Sequence, residues 1–558
     1  IFFYFLGLYN TTFSEFSSYH FFSILYSILI FFILTSFVFL TIEIKSFSFY
    51  QLFFFSLAFF FLTISNRYIL STFLNFFKFK KKEKIIIYGA GSLGLKCINI
   101  LNSYEIISFV DDNEKKLNRN ISGIKILDWS KAKKIISKKK IDFIFIAIKK
   151  LSPEKKREIF NKIFEINNDC IIKYIPNFEN ESISKFNENH FQKLKFEDFF
   201  NRSLKIDDSK LLNLFKNKTV LVTGGGGSIG MELSNQICNY LPKTLVVLDN
   251  TEYNLFQARK NIDYHLTSKI NIIYKLEDIN NFQGLENILR KFNFDYVFHA
   301  AALKHVKIVE ENKSAAIKTN IFGSINIIKL FKKFKAKKLV YISTDKAVRP
   351  TNFMGATKRI TEIYYQVYSK INFITQKVSI VRFGNVFGSS GSVINIFKEQ
   401  IENGGPLTVT NKKMERYFMS ISEAVKLVLF SSTLKKISTN IFCLDMGERI
   451  KIFDLAKKMI FLSGNRYKNK KSSKNGIGIK LVGKFAAEKY KEELFINNNF
   501  NRTEIKNIFT IQEDIDNEKQ FLKDINNINK NFNKVSDLKI KKFFQTYVEN
   551  YKYILKNK

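Results

Sequence analysis

Two stretches of this chain repeat one pattern: a short apolar run, a glycine-rich turn, then a helix-compatible segment. The first passes from Ile85-Ile86-Ile87-Tyr88 into Gly89-Ala90-Gly91-Ser92-Leu93-Gly94. The second passes from Val220-Leu221-Val222 into Thr223-Gly224-Gly225-Gly226-Gly227-Ser228-Ile229-Gly230. Early glycines in such a turn let backbone N–H groups approach a pyrophosphate. The last lets the helix pack on the sheet, and the helix N-terminus favours the anion. Asp249 lies 25 residues beyond Gly224. A carboxylate there accepts from ribose hydroxyls and repels a 2′-phosphate, and Asn250, not arginine, follows it. This favours NAD over NADP. For the first turn the corresponding acid is Asp111 or Asp112. That turn reads equally as a second nucleotide site, built on Gly89, Gly91, Gly94 and Asp111, or as a scaffold that binds nothing.

Further apolar runs at 106–110 and 141–148 extend the first unit, and runs at 244–248, 295–299, 338–343 and 377–383 extend the second. Helix-compatible stretches separate them. The expected fold class is α/β, with two Rossmann-type, doubly wound parallel-sheet domains. Residues 84–200 form the small domain, 205–500 the large one, and 501–558 a basic helical tail.

Ahead of these lie residues 21–42 and 46–65, 22 and 20 residues long without a charge. Each could span a hydrocarbon core of about 30 Å, so residues 1–78 are expected to hold transmembrane helices. Arg67, Lys78, Lys80, Lys81, Lys82 and Lys84 follow, which places the rest of the chain on the cytoplasmic side. The expectation is a multi-pass protein of the inner (cytoplasmic) membrane, with the lipid bilayer as a partner. The chain opens with Ile1 inside an apolar run and reads as N-terminally incomplete. Net charge is +39, but lysine is spread along the whole chain with abundant Asn, Ile and Phe. This is read as a solvated basic surface, with no nucleic-acid partner. Cys97, Cys170, Cys238 and Cys443 form no metal-binding spacing and are expected to be small buried residues; no metal is expected.

The chemistry concentrates in Ser343-Thr344-Asp345-Lys346-Ala347-Val348-Arg349-Pro350 and the following Thr351-Asn352-Phe353-Met354-Gly355-Ala356-Thr357-Lys358. With "HAAALKHVKIVEEN" from His299, "KTNIFGS" from Lys318, "VRFGNVFGSSGSVI" from Val381, "GGPLTVTNKKMERYFMSISEAV" from Gly404 and "FCLDMGE" from Phe442, the large domain resembles the extended short-chain dehydrogenase/reductases. Within them it is similar to the membrane-anchored polysaccharide biosynthesis proteins of the CapD type, over nearly the whole chain. The resemblance implies an NAD-dependent nucleotide-sugar 4,6-dehydratase acting on UDP-N-acetylglucosamine for surface polysaccharide synthesis. Hydride leaves C4, water is lost from C5 and C6, and the hydride returns to C6. In the superfamily's Tyr-x-x-x-Lys pair, Lys358 fits and Met354 stands at the tyrosine, the usual pattern of this subgroup. Asp345 is the expected acid, Lys346 the C5 base, and Thr344 or a water near Lys358 the base for the 4-hydroxyl.

Cofactor contacts are expected at Gly224, Gly227, Ser228, Ile229, Gly230, Asp249, Asp278, Ile279, Ala300, Ala301, Ala302, Asn320 and Lys358. Substrate contacts are expected at Lys304, His305, Asn385, Val393 and Arg416, with Arg416 pairing a phosphate oxygen. His299 is expected in the core. The family's Gly-Leu-Arg-Pro-Gly-Glu-Lys appears here as Gly483-Lys484-Phe485-Ala486-Ala487-Glu488-Lys489, so Phe485 replaces an arginine that approaches the diphosphate. Two alternatives stay open: an epimerase or reductase on the same fold, and a catalytically degenerate membrane-bound nucleotide-binding scaffold. A homo-oligomer is compatible by analogy with related folds.

Overall fold

The computed structural model describes residues 18–42, 49–77, 82–139, 141–149, 151–166, 170–174, 191–193, 207–265, 270–434, 441–465, 467–468, 476–485, 487–496, 500–549 and 551. Contacts divide the chain into two compact units, residues 1–85 with 101–107, and residues 86–100 with 108–558.

The first unit holds two helices, Ser18–Ile42 and Phe49–Phe77. Ile24 and Ile28 of one are buried against Phe60 and Ile64 of the other. The second helix runs well beyond the expected limit at residue 65, while 46–48, Lys78, Lys80 and Lys81 lie outside the described residues. Among the described residues no helix is long and apolar enough to cross a membrane, so the expected transmembrane hairpin is not supported as drawn. The pair still exposes large apolar side chains, Phe37, Phe54 and Leu62 among them.

In the small domain the strand order is Asn120–Ile121, Ile124–Leu127, Glu105–Val110, Lys84–Tyr88, Phe143–Ile146, Ile171–Tyr174, Gln192–Lys193. Gly94 must be glycine, because a Cβ there would lie 2.0 Å from the Gly89 carbonyl oxygen. That closeness lets the helix Ser92–Ile100 start directly off the strand.

The large domain is built on nine strands. From one edge they run Asn271–Leu276, Thr244–Asp249, Thr219–Thr223, Tyr296–His299, Lys338–Ile342, Val378–Arg382 and Ile441–Leu444. These seven pair in parallel. Reading in chain order, the third, second and first strands are followed by the fourth, fifth and sixth, so the order reverses beside Thr219–Thr223. Ligands of open α/β sheets bind at that reversal, beyond the strand C-termini. Strands Thr219–Thr223, Tyr296–His299, Lys338–Ile342 and Val378–Arg382 are buried throughout, as a sheet covered on both faces requires.

The segment expected to be a helical tail begins as part of this sheet. Ile508–Ile511 pairs antiparallel with Ile441–Leu444, and Asn501–Arg502 adds a last strand. Only then come helices Glu518–Lys530 and Asp537–Tyr547, and Phe544 packs on Phe353 with ring centroids 4.9 Å apart. Asp514 onward thus encloses the core instead of trailing from it. All four cysteines are buried.

Candidate active site

The strand Thr219–Thr223 delivers the second glycine turn to the reversal point. Gly224 has φ +65°, and a Cβ on it would lie 2.6 Å from the Ala301 backbone. On Gly230 a Cβ would lie 2.1 Å from the Gly224 carbonyl oxygen. Gly227 caps the helix Ser228–Cys238 without a side chain, so the first-turn N–H groups face outward uncovered. Asp249, at the end of the next strand, accepts from the N–H of Gly226 at 2.9 Å and of Thr251 at 3.0 Å. Each oxygen keeps further acceptor capacity. A backbone cradle, an open helix N-terminus and a carboxylate held beside them fit a dinucleotide.

A cleft of about 780 Å³ extends from this cradle into the C-terminal half of the domain. Gly224, Gly227, Ser228, Ile229, Gly230, Ala300 and Ala302 line its cofactor side. Thr344, Lys346, Met354, Lys358, Lys304, His305, Asn385, Val393 and Arg416 line the remainder. Asp249, Asp278, Ile279, Ala301, Asn320 and Asp345 are not part of the lining. Asn320 is fully buried on a π-helical turn, Ile317–Gly323. Its amide accepts from the Leu303 N–H at 2.7 Å and donates to the Leu303 carbonyl at 3.0 Å. It therefore positions the Ala302-Leu303-Lys304 loop and does not reach into the cleft. Asp278 accepts from the Asn280 N–H, and Ile279 packs toward Gly323.

The residues expected to be catalytic are positioned by the strand Lys338–Ile342 and the helix Phe353–Ile371. The helix is capped by Asn352, whose side chain accepts from the Gly355 N–H, and by Glu310, which accepts from the Phe353 N–H at 2.6 Å. Lys358 reaches the Ile342 carbonyl at 2.8 Å and lies over the Tyr341 ring at 4.5 Å. Burial pushes its ammonium down to about 7, against the raising influence of Glu362. Met354, buried at the tyrosine position, carries no proton.

Asp345 is fully buried in the turn that follows. Its Oδ1 accepts from Thr344 Oγ1 at 3.0 Å and from Lys346 Nζ at 3.0 Å, while Oδ2 is buried with no hydrogen bond. Lys346 also donates to Asn385 Oδ1 at 3.2 Å. Burial disfavours its charge, but Asp345 and Glu492 outweigh that, and the ammonium is held above its ordinary range. Lys346 is therefore protonated in the free protein, opposite to what a resident C5 base requires. Arg416 donates to the carbonyls of Glu415 at 2.8 Å and Tyr490 at 3.2 Å. Burial lowers the pKa of both Lys304 and His305.

His299 lies in the core, as expected: its ring contacts Thr223 Oγ1 at 2.7 Å and Ser324 Oγ at 2.9 Å, and burial pushes its pKa down to about 3. Over the glycine turn, the Ser390 N–H donates to Ser228 Oγ at 3.2 Å, closing the turn with a loop 162 residues away. Sequence reasoning missed this contact, Glu310 and the buried Glu492. Glu492 was visible only as a match within the segment that follows Phe485. Phe485 is half exposed, and Lys484 turns to the Glu488 carbonyl at 3.0 Å. At the first glycine turn, Asp111 accepts from the Ala90 N–H at 2.8 Å and is paired with Lys116 at 3.1 Å, so an internal cation already faces that carboxylate.

Strand order, glycine turn and the cleft at the strand C-termini together define a Rossmann-type α/β domain. Residues 220–513 match the family model described as polysaccharide biosynthesis protein, and residues 81–172 match the C2185-like N-terminal family. The chain is 37% identical over 426 residues to the capsular polysaccharide biosynthesis protein CapD of Staphylococcus aureus, covering 75% of this chain and 69% of that one. It is 36% identical over 454 residues to the probable polysaccharide biosynthesis protein EpsC of Bacillus subtilis, covering 80% and 74%. A shorter match, 35% over 222 residues, links it to a UDP-glucose 4-epimerase of Rickettsia canadensis, covering 39% of this chain and 63% of that one. The chain belongs to the polysaccharide biosynthesis protein family.

Proposed function

We propose that this protein is an NAD-dependent UDP-N-acetylglucosamine 4,6-dehydratase. The observation that carries the reading is the hydrogen bond at 3.0 Å between buried Asp345 and Lys346, the latter lining the same cleft as Lys358 and the glycine turn. An epimerase needs only to move a proton at the 4-hydroxyl. A dehydratase needs an acid and a base together for the adjacent carbons.

Gly224 to Gly230 and Asp249 would hold a dinucleotide, which would supply the hydride acceptor and donor for C4 and C6. Lys358, pushed down to about 7, accepts the 4-hydroxyl proton through Thr344 or a water. Lys346 acts as base only after passing its proton to Asp345. That transfer creates a neutral amine for C5 and, in one step, a carboxylic acid whose proton passes to the departing C6 hydroxyl through Thr344, which bonds Asp345 at 3.0 Å and lines the cleft. Elimination returns the C5 proton to Lys346 and sends the Asp345 proton out with water, so the ion pair re-forms. Reprotonation of C5 draws the proton from Lys346, and the proton taken from the 4-hydroxyl restores it. Arg416 faces the diphosphate.

Purified full-length protein incubated with UDP-N-acetylglucosamine should yield a sugar nucleotide lighter by one water, with a new C6 methyl signal in the proton NMR spectrum. Substrate recovered unchanged, or an epimer of unchanged mass, would reject the dehydratase. The exposed apolar faces of the two N-terminal helices support attachment to a lipid bilayer as the setting of this reaction, and flotation of the full chain with vesicles tests it.

A further inference from the structure

The segment from Glu488 to Glu493 does more than carry the altered diphosphate motif. A bridge between Glu415 and Lys491 lays it beside the strand Glu415–Arg416, and the Glu415 N–H donates to the Tyr490 carbonyl at 2.8 Å. This register puts the Glu492 carboxyl behind the cleft wall, 3.9 Å from Arg416 Nε and almost fully buried. Its backbone carbonyl accepts from Arg449 Nε at 3.2 Å. Around the carboxyl stand Asp345 and Lys346 from the turn after Lys338–Ile342, Arg416 from its own strand, and Lys489 from the same segment. The 3.9 Å separation is an ion contact, not a hydrogen bond, and Arg416 spends Nη1 on two carbonyls.

We infer that Glu492 is a positioning residue that sets the charge of the Asp345–Lys346–Arg416 cluster, and that it takes up a proton when a nucleoside diphosphate binds. Lys489 is offset by Glu493 at 3.3 Å, so with Glu492 neutral Lys346 and Arg416 outnumber Asp345 and the cluster carries one net positive charge for the phosphates. With Glu492 ionised, that charge is cancelled. Burial is the largest influence on the carboxyl and raises its pKa; Asp345 adds to this while Lys346 and Arg416 oppose it, and the outcome is a raised value. Incoming phosphate charge acts in the same direction as Asp345 and drives protonation further. Ligand binding and proton binding at Glu492 then reinforce each other by linkage.

The inference builds on the reading of Arg416 as a diphosphate contact, and its test needs no turnover. UDP binding to the holoprotein is followed by calorimetry in buffers of different ionisation enthalpy, from about pH 5 to about pH 8. The parent should bind UDP with net proton uptake, and its affinity should weaken as pH rises. E492Q, which mimics the neutral acid, should bind without that uptake and hold its affinity at the upper end of the range; E492D should restore the uptake. Equal proton uptake in parent and E492Q, no uptake in the parent, or no UDP binding at all would each overturn it. Turnover of UDP-N-acetylglucosamine by the same parent preparation is scored separately. Proton uptake lost in E492Q beside an inert sugar nucleotide would reject the dehydratase and leave the role of Glu492 standing.

Discussion

Met354 carries no proton, so of the pair Met354 and Lys358 only the lysine can exchange one. Because Lys358 falls from 10.5 to about 7 in the fold, the unfolded chain holds its proton more tightly than the folded one. The resulting cost to stability is fully present below about pH 7 and fades as pH rises toward the unfolded value near 10.4. K358M should therefore melt a few degrees above the parent at pH near 6, with the gap narrowing in alkali, while turnover falls by at least ~10²-fold. A melting series against pH beside a product assay checks both. Phe485 allows a test in the opposite direction. F485R restores a charge-assisted donor beside the cleft and should lower KM for the UDP-sugar by roughly tenfold with little change in kcat. An unchanged KM would mean that Lys484 or Arg416 already satisfies the diphosphate.

At the scale of elements, the helix Phe353–Ile371 is what aims the catalytic turn. A Cβ on Gly355 would lie 2.2 Å from the Lys346 carbonyl oxygen, so the helix can approach that turn only with glycine there. G355A should cost ~1–3 kcal/mol in urea denaturation. It should reduce turnover by more than that loss implies, since the displaced group is Lys346 itself. The glycine turns and their flanking strands were legible because alternation of apolar run, glycines and helix is a local signal. So were the core His299 and the Asp345–Lys346 pair. Strands Asn271–Leu276 and Ile441–Leu444 were missed, and Ile508–Ile511 was absorbed into an expected tail. Ile441–Leu444 and Ile508–Ile511 are four residues each and owe their place to partners far away in sequence, while Asn271–Leu276 is an edge strand with no fully buried residue to mark it. Asn320 illustrates the same limit in the site: an amide beside a cofactor loop looks like a ligand contact until its partners, the Leu303 backbone and the Thr357 hydroxyl, are seen. Lys346 reads as a base from its neighbours in sequence, but its protonation depends on Glu492, 146 positions later.

Across the whole catalytic domain, one buried ionic network joins sheet, helix and C-terminal segment. Arg382, fully buried, donates to Glu362 at 2.8 and 2.7 Å and to Glu513 at 2.7 and 2.9 Å. Arg359 adds contacts to both carboxylates. Burial alone would raise Glu513, but Arg382 and Arg359 pull it down to about 2. Its stabilisation is thus present above the unfolded value near 4.5 and lost as pH falls from there through about 2. E513Q leaves two arginines facing one carboxylate and should cost ~3–5 kcal/mol at neutral pH, with a shallower acid limb in its stability profile. Chemical denaturation at several pH values measures both effects. A variant as stable as the parent would show that the network is replaceable.

The same network dictates an order of events during synthesis. A ribosome exposes Arg382 well before it releases Glu513 or the strand Ile508–Ile511 that pairs with Ile441–Leu444. For that interval the nascent large domain holds two arginines, Arg359 and Arg382, on the single carboxylate of Glu362 and an open strand edge, whereas residues 84–174 have the strands from Lys84–Tyr88 to Ile171–Tyr174 of their sheet in hand. The small domain can thus mature on the ribosome, but the large one must wait until the chain has been made through Glu513. A stop codon placed before position 508 would yield an aggregating product and not a shorter enzyme.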